Sequence, residues 1–275
     1  RESMALEGVL QAAEAGAAPL VLKEGLARTL AYHTFGDAEV LERMRGPTRR
    51  IIFNERISVE ERKQLVDFVA GEFRKIVDRP TPNTKQMISF AAILSNAAYL
   101  DPAYRAEAEQ LLKKAIELSP QKQILYFELA QLYLRGEQFS EALRVLREAM
   151  LLDPSYTLAV TNYLAAAVIA QDSKTAGEIR AMLDVEQLNP ENLSGLSAMF
   201  LEIRDYLTSK MIYERLVRDN PQNPEYHGKF AAILKELGEI DRAIEEVEIV
   251  IRLDPAAVPE AEPFLKELRR MRPGR

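Results

Sequence analysis

Residues 121–154 decide the fold, and they read QKQILYFELAQLYLRGEQFSEALRVLREAMLLDP. Apolar side chains recur at helical spacing on both sides of Gly136, which is the pattern of two amphipathic helices joined by a turn. Ala142 and Ala149 are small residues in the second of these helices, and they allow two helices to approach closely. Pro154 closes the second helix because proline has no N–H to donate and restricts the residue before it. The stretch therefore predicts an antiparallel helix pair.

The closing proline of this stretch recurs along the chain at a nearly constant spacing. The prolines are Pro120, Pro154, Pro190, Pro221 and Pro255. The third interval is the shortest and the second is the longest, and the mean is about 34 residues, the length of one known class of helix-pair repeat. Four of the prolines follow related phrases, namely AIELSP, AMLLDP, VEQLNP and VIRLDP. We therefore expect five consecutive helix pairs, each closed by one of these prolines.

A small residue and a large residue recur at equivalent positions of these units. Small residues occur at equivalent places, and they are Ala108, Ala142, Ala176, Ser209 and Ala243. A large residue lies nine positions before four of them, and these are Tyr99, Tyr133, Phe200 and Leu234. We expect each large side chain to fill the space that the small one leaves.

This arrangement resembles the tetratricopeptide repeat, a unit of about 34 residues formed by two antiparallel helices. The resemblance implies an all-α fold, an α-solenoid of antiparallel helix pairs that winds into a right-handed superhelix. The expected units are 83–120, 121–154, 155–190, 191–221 and 222–255. Residues 1–82 are expected to form irregular helices packed on this array, and residues 256–275 a capping helix and tail.

The N-terminal third is helical in pattern without a clear repeat. Ser58 followed by Glu61 is a capping box, which predicts a helix that runs to about Asp78. The other helices expected before the first repeat closes are Met4–Ala15, Pro19–His33, Ala38–Arg45 and Thr84–Leu100.

The composition favours a soluble globular protein and excludes several classes of site. Hydrophobic residues make up 47% and charged residues 28% of the 275 residues, and the formal net charge is −6. That balance argues against nucleic-acid binding, which usually needs a basic stripe. No cysteine is present, no apolar run reaches the roughly 18 residues of a membrane span, and no nucleotide-binding motif occurs. We expect no cofactor.

Two histidines, His33 and His227, are the only ones in the chain. Neither has a second ligand at helical spacing, so a packing or capping role is favoured over metal binding or catalysis. Carboxylate pairs such as Glu245–Glu246 fall on amphipathic helices, where a solvated face explains them. We therefore expect no metal site and no catalytic site in this chain.

Three stretches also resemble the soluble C-terminal region of O-antigen ligase-like membrane proteins. They are Leu30–Arg43 (LAYHTFGDAEVLER), Ala108–Pro120 (AEQLLKKAIELSP) and Gln121–Leu134 (QKQILYFELAQLYL). The resemblance implies an extracytoplasmic domain of a bacterial membrane protein that handles surface polysaccharide. The membrane-embedded catalytic part would lie outside this chain, so no catalytic residue carries over.

The repeat register predicts a groove along the first helix of each pair. The expected groove residues are Phe90, Ile93, Leu94, Ile124, Phe127, Gln131, Leu134, Leu158 and Asn162. Two alternatives follow from such an apolar stripe. It accepts a peptide or a helix from a partner, or the N-terminal helices of the chain fill it.

A cluster of arginines is the second candidate site. It comprises Arg43, Arg45, Arg49 and Arg50, which are expected to contact an anion such as an acidic glycan, or else to belong to an ordinary solvated loop.

These features leave three hypotheses for function. The first is a non-catalytic scaffold for protein–protein interaction in an O-antigen ligase-like or polymerase-like membrane protein. The second is a free-standing, cytoplasmic adaptor that binds a peptide or helix in its groove. The third is a module that contacts anionic glycan through its arginines.

Overall fold

The computed structural model describes residues 2–31 and 36–272, and within these residues every regular element is helical. The all-α expectation is therefore confirmed. The chain divides into two compact units, Arg1–Asp153 and Pro154–Arg275. The finer division into 1–82, five repeats and 256–275 stays a prediction.

The first unit contains nine α-helices within its described residues. They are α1 Glu2–Glu14, α2 Pro19–Leu30, α3 Asp37–Arg43, α4 Arg45–Ile52, α5 Val59–Val77, α6 Thr84–Ala97, α7 Pro102–Leu118, α8 Gln123–Arg135 and α9 Phe139–Leu152. Helices α6 and α7 pack as one pair, and α8 and α9 as the next. The helix pair predicted from residues 121–154 is thus present.

The second unit continues with paired helices. They are α10 Thr157–Ile169, α11 Ser173–Met182, α12 Pro190–Glu202, α13 Tyr206–Asp219, α14 Pro224–Glu236, α15 Ile240–Leu253 and α16 Val258–Met271. Helix α16 packs on α15 through the buried Leu265 and Leu268.

Helix ends follow the polar residues and prolines of the sequence. The capping box at the start of α5 is formed, since the Ser58 Oγ accepts from the Glu61 backbone N–H at 3.3 Å and the Glu61 carboxylate accepts from the Ser58 N–H at 3.2 Å. Pro120 and Pro154 each lie just beyond the end of a helix. Pro190 was expected to close a helix, and that expectation was wrong, because it is the first residue of α12. Proline is tolerated there because the first N–H of a helix has no intrahelical partner.

The sequence-based prediction did not include helix α4. It placed the arginines of this segment either against an anion or in a solvated loop. Gly46 and Pro47 lie within the first turn of α4, where a missing N–H does not break a hydrogen bond of the helix. Ile51 and Ile52 are buried, so tertiary packing stabilises a helix that local propensity does not predict.

Of the four large residues that were expected to fill the space beside the small ones, one is not buried. Tyr133, Phe200 and Leu234 are buried as expected, whereas Tyr99 is 56% exposed. Helix α6 ends at Ala97, so Tyr99 lies in the turn before α7 instead of on a helix. Its hydroxyl donates to the carbonyl of Ile52 at the end of α4.

Candidate functional site

The groove residues predicted on α6 do not form an open surface. Phe90, Ile93 and Leu94 are all at most 2% exposed. Helices α3, α4 and α5 pack on α6, and the Phe90 ring stacks on Phe73 of α5 with centroids 5.2 Å apart. On this helix the N-terminal region of the chain itself covers the predicted stripe.

The groove residues predicted on α8 are more accessible. Ile124 is 48% exposed, Gln131 is exposed, and Phe127 and Leu134 are half-buried. Leu125, Leu129 and Leu132 of α8 are buried, and they lie on the opposite face of the helix. An apolar residue as exposed as Ile124 at a groove position is available to a partner.

In the second unit the predicted residues lie on α10 beside a separate cavity. Leu158 is 41% exposed and Asn162 is half-buried. The cavity has a volume of about 630 Å³, and Leu158, Thr161, Leu188 and Leu196 contribute to its walls.

A second cavity in the first unit joins the two predicted sites. It has a volume of about 470 Å³ and lies between α4, α6 and α8, and we call it the arginine cleft. Its lining comprises Glu42 of α3; Arg45, Gly46 and Arg49 of α4; Ala92, Ile93, Ser95 and Asn96 of α6; and Glu128, Gln131 and Arg135 of α8.

Glu128 of the arginine cleft is half-buried, whereas Arg45, Arg49 and Arg135 are exposed. Burial raises the pKa of Glu128, against the opposing effect of Arg45 and Arg135. Burial likewise lowers the pKa of Arg135. The Arg135 Nη1 atom donates to the Ser95 Oγ and the Asn96 Oδ1, both at 3.1 Å, so this guanidinium is held in place across the cleft.

The four arginines predicted as anion contacts do not act as one cluster. Arg45 and Arg49 line the arginine cleft. Arg43 instead contacts Glu7 of α1 at 3.4 Å, and Arg50 is exposed outside the cleft lining. Arg135 was not among the expected anion contacts, because only tertiary packing brings α4 beside α8.

Comparison with known proteins supports the repeat interpretation. Residues 105–168 match the family model described as the tetratricopeptide repeat. Over these residues the chain is similar to the tetratricopeptide repeat. Repeats of this kind stack helix pairs into extended surfaces that bind other proteins.

Solved structures with similar folds include three examples at low identity. A TPR protein called YrrB, "with an unusual peptide-binding site", is 22% identical, with 57% of this chain and 86% of that chain covered and a TM-score of 0.35. Pseudomonas aeruginosa pilF is 18% identical, with 70% and 93% covered and a TM-score of 0.41. A tetratricopeptide repeat protein of Parabacteroides merdae is 11% identical, with 98% of each chain covered and a TM-score of 0.43.

At these identities and TM-scores the similarities transfer no function. No curated protein matches the sequence. The assignment of the repeats therefore depends on the family match and on the helix pairs themselves.

His227 has a structural role within the fifth predicted repeat. It is 5% exposed, and its Nδ1 lies 2.5 Å from the Glu246 carboxylate, while its Nε2 lies 3.1 Å from the carbonyl of Pro221. Both ring nitrogens are therefore occupied, which agrees with the expected packing role. His33 lies outside the described residues, so the expectation for it stays a prediction.

Residues 2–31 and 36–272 contain neither a metal-binding cluster nor a membrane-spanning helix. No group of three or more histidine and carboxylate side chains there is arranged to hold a metal ion. No helix among these residues combines the length and the apolar character needed to cross a bilayer.

Proposed function

We propose that this chain is a non-catalytic scaffold that binds a polypeptide partner on the first helices of its tetratricopeptide repeats. The observation that carries the proposal is the exposure of Ile124 on α8 and Leu158 on α10, at 48% and 41%. Both are large apolar side chains at groove positions of the repeat register. Such side chains on a binding face lose contact with water when a partner packs on them.

The test places a photo-crosslinking residue at Ile124 and, separately, at Leu158 in the native host. Leu151 is the matched control, because it is 58% exposed but belongs to α9, the second helix of its pair. We expect the same partner protein to crosslink from Ile124 and Leu158 and not from Leu151. Equal crosslinking at all three positions, or none at any, would contradict groove binding.

We further propose that the scaffold is the extracytoplasmic arm of an O-antigen ligase-like membrane protein. The resemblance in Leu30–Arg43, Ala108–Pro120 and Gln121–Leu134 supports this proposal. The test is the coding sequence that precedes Arg1 in the native gene. We expect it to encode several membrane spans, and their absence would favour the alternative of a free-standing adaptor.

A further inference from the structure

We infer that the arginine cleft binds a carboxylate group on an acidic segment of the partner polypeptide. This inference rests on the proposed scaffold function. It names the chemistry of the partner that the apolar positions alone do not define.

Three guanidinium groups face this cleft, and the Glu128 carboxylate opposes two of them. They belong to Arg45, Arg49 and Arg135. Within the described residues none of the three forms a salt bridge, although Arg135 donates to neutral oxygens of α6. A guanidinium gains more from an ionised acceptor than from a neutral one, because hydrogen bonds between charged groups are stronger.

The two carboxylates in the cleft lining do not balance these charges. Glu42 is paired with Lys85, whose Nζ lies 2.6 Å from it. Among the described lining residues, Glu128 is the one acidic group left to oppose three arginines. The cleft is therefore positive in a chain whose net charge is −6, and it selects an anion.

The chemistry of the groups favours a carboxylate on a polypeptide. The planar guanidinium fork matches the two oxygens of a carboxylate. Ile124 lies one helical turn before Glu128 on the same helix, so an apolar side chain of the same segment has a contact beside the cleft.

A second apolar contact lies at the other end of the cleft. An adjoining cavity of about 190 Å³ shares Arg49 and Arg135 with it. The exposed rings of Phe53 and Tyr99 contribute to this cavity and stack on each other with centroids 5.9 Å apart. A segment that carries acidic and apolar residues in alternation fits this order of contacts.

The test measures fluorescence anisotropy of fluorescein-labelled octaglutamate with the whole chain at low salt. The variants are the double variant Arg45→Gln/Arg49→Gln and the single variant Arg135→Gln. Arg50→Gln is the matched control, since it removes the same charge from the same helix outside the cleft. Circular dichroism melts check that each variant is folded.

We expect the double variant to bind octaglutamate about tenfold or more weakly, and Arg135→Gln to weaken binding in the same direction. The control is expected to stay within about twofold, because an exposed charge outside the site acts through screened attraction only. Equal affinity in all four proteins, or no binding by the unsubstituted chain, would overturn the inference.

An acidic polysaccharide is the competing occupant, and hyaluronate is the probe for it. If hyaluronate binds through Arg45 and Arg49 while octaglutamate does not, the polypeptide assignment is wrong.

Crosslinking from Ile124 separates this inference from the proposed function. If Arg45→Gln/Arg49→Gln leaves the crosslinked partner unchanged, the scaffold proposal stands and the carboxylate site fails. If octaglutamate binds as expected but no partner crosslinks, the scaffold proposal fails.

Discussion

Small side chains at a fixed register hold the helix pairs together at the residue scale. These residues are Ala108, Ala142, Ala176, Ser209 and Ala243, and each is at most 4% exposed. Their burial follows from the sequence, because the regular spacing of the repeat places each of them on the second helix of a pair. No larger side chain fits at such a contact without moving the facing helix.

We expect Ala108→Leu to lower the free energy of unfolding by about 1–3 kcal/mol, because extra methylene groups overpack a filled interface. Ala106→Leu is the control, since Ala106 is exposed on the same helix α7. Urea unfolding followed by circular dichroism measures both. Equal stability of the two variants would show that Ala108 is not at a close helix contact.

The partial burial of Glu128 predicts, at the same scale, that the stability of the chain depends on pH. Its pKa is raised by burial, so the folded chain holds this proton more tightly than the unfolded chain does. Stability is then lost as the pH rises through the raised pKa and is regained below the ordinary value of 4.5. We expect Glu128→Gln to raise the melting temperature at neutral pH, by an amount that shrinks as the pH falls below this value.

Thermal melts of Glu128→Gln and the unsubstituted chain between acid and neutral pH measure this difference. Glu117→Gln is the control, because it removes an exposed carboxylate of α7 that does not line the arginine cleft. A melting temperature of Glu128→Gln that is lower at neutral pH would contradict the prediction. The same variant is expected to bind octaglutamate more tightly, since it removes the remaining opposing charge.

At the element scale, the third predicted repeat has the longest interval between closing prolines, from Pro154 to Pro190. Helix α11 ends at Met182, and the 3₁₀ turn Val185–Gln187 separates it from α12. Arg215 of α13 holds this turn, because its Nη1 donates to the carbonyls of Val185 at 2.5 Å and Leu188 at 2.8 Å. The Arg215 side chain is 9% exposed in this position. A single buried guanidinium thus satisfies backbone groups that the longer connection leaves without helical partners.

Arg215→Met is expected to lower the free energy of unfolding by about 2 kcal/mol or more, because it leaves buried carbonyls without a donor. Arg218→Met on the same helix is the control. Its guanidinium lies 2.7 Å from the Glu186 carboxylate, but both side chains are mostly exposed, so we expect a loss below about 1 kcal/mol. Urea titration of both variants decides the comparison, and an equal loss would contradict this role of Arg215.

At the scale of the whole molecule, paired helices account for both compact units. The all-α class and the helix pair of residues 121–154 could both be predicted, because each depends on periodicity and on prolines or caps near in sequence. Helix α4 could not be predicted in this way. Its stability comes from Ile51 and Ile52 in the core, and its local sequence contains Gly46 and Pro47.

The sequence by itself determined the buried small residues of the second helices, because burial of one helix face imposes a period that is visible in the order of the residues. Only the tertiary structure decided which distant segment covers α6 and which arginines meet in one cleft. Arg49 and Arg135 lie in different helices, and neither α4 nor its position beside α8 is encoded by local spacing. Packing free energy is summed over long-range contacts, so it fixes partners that a local pattern leaves open.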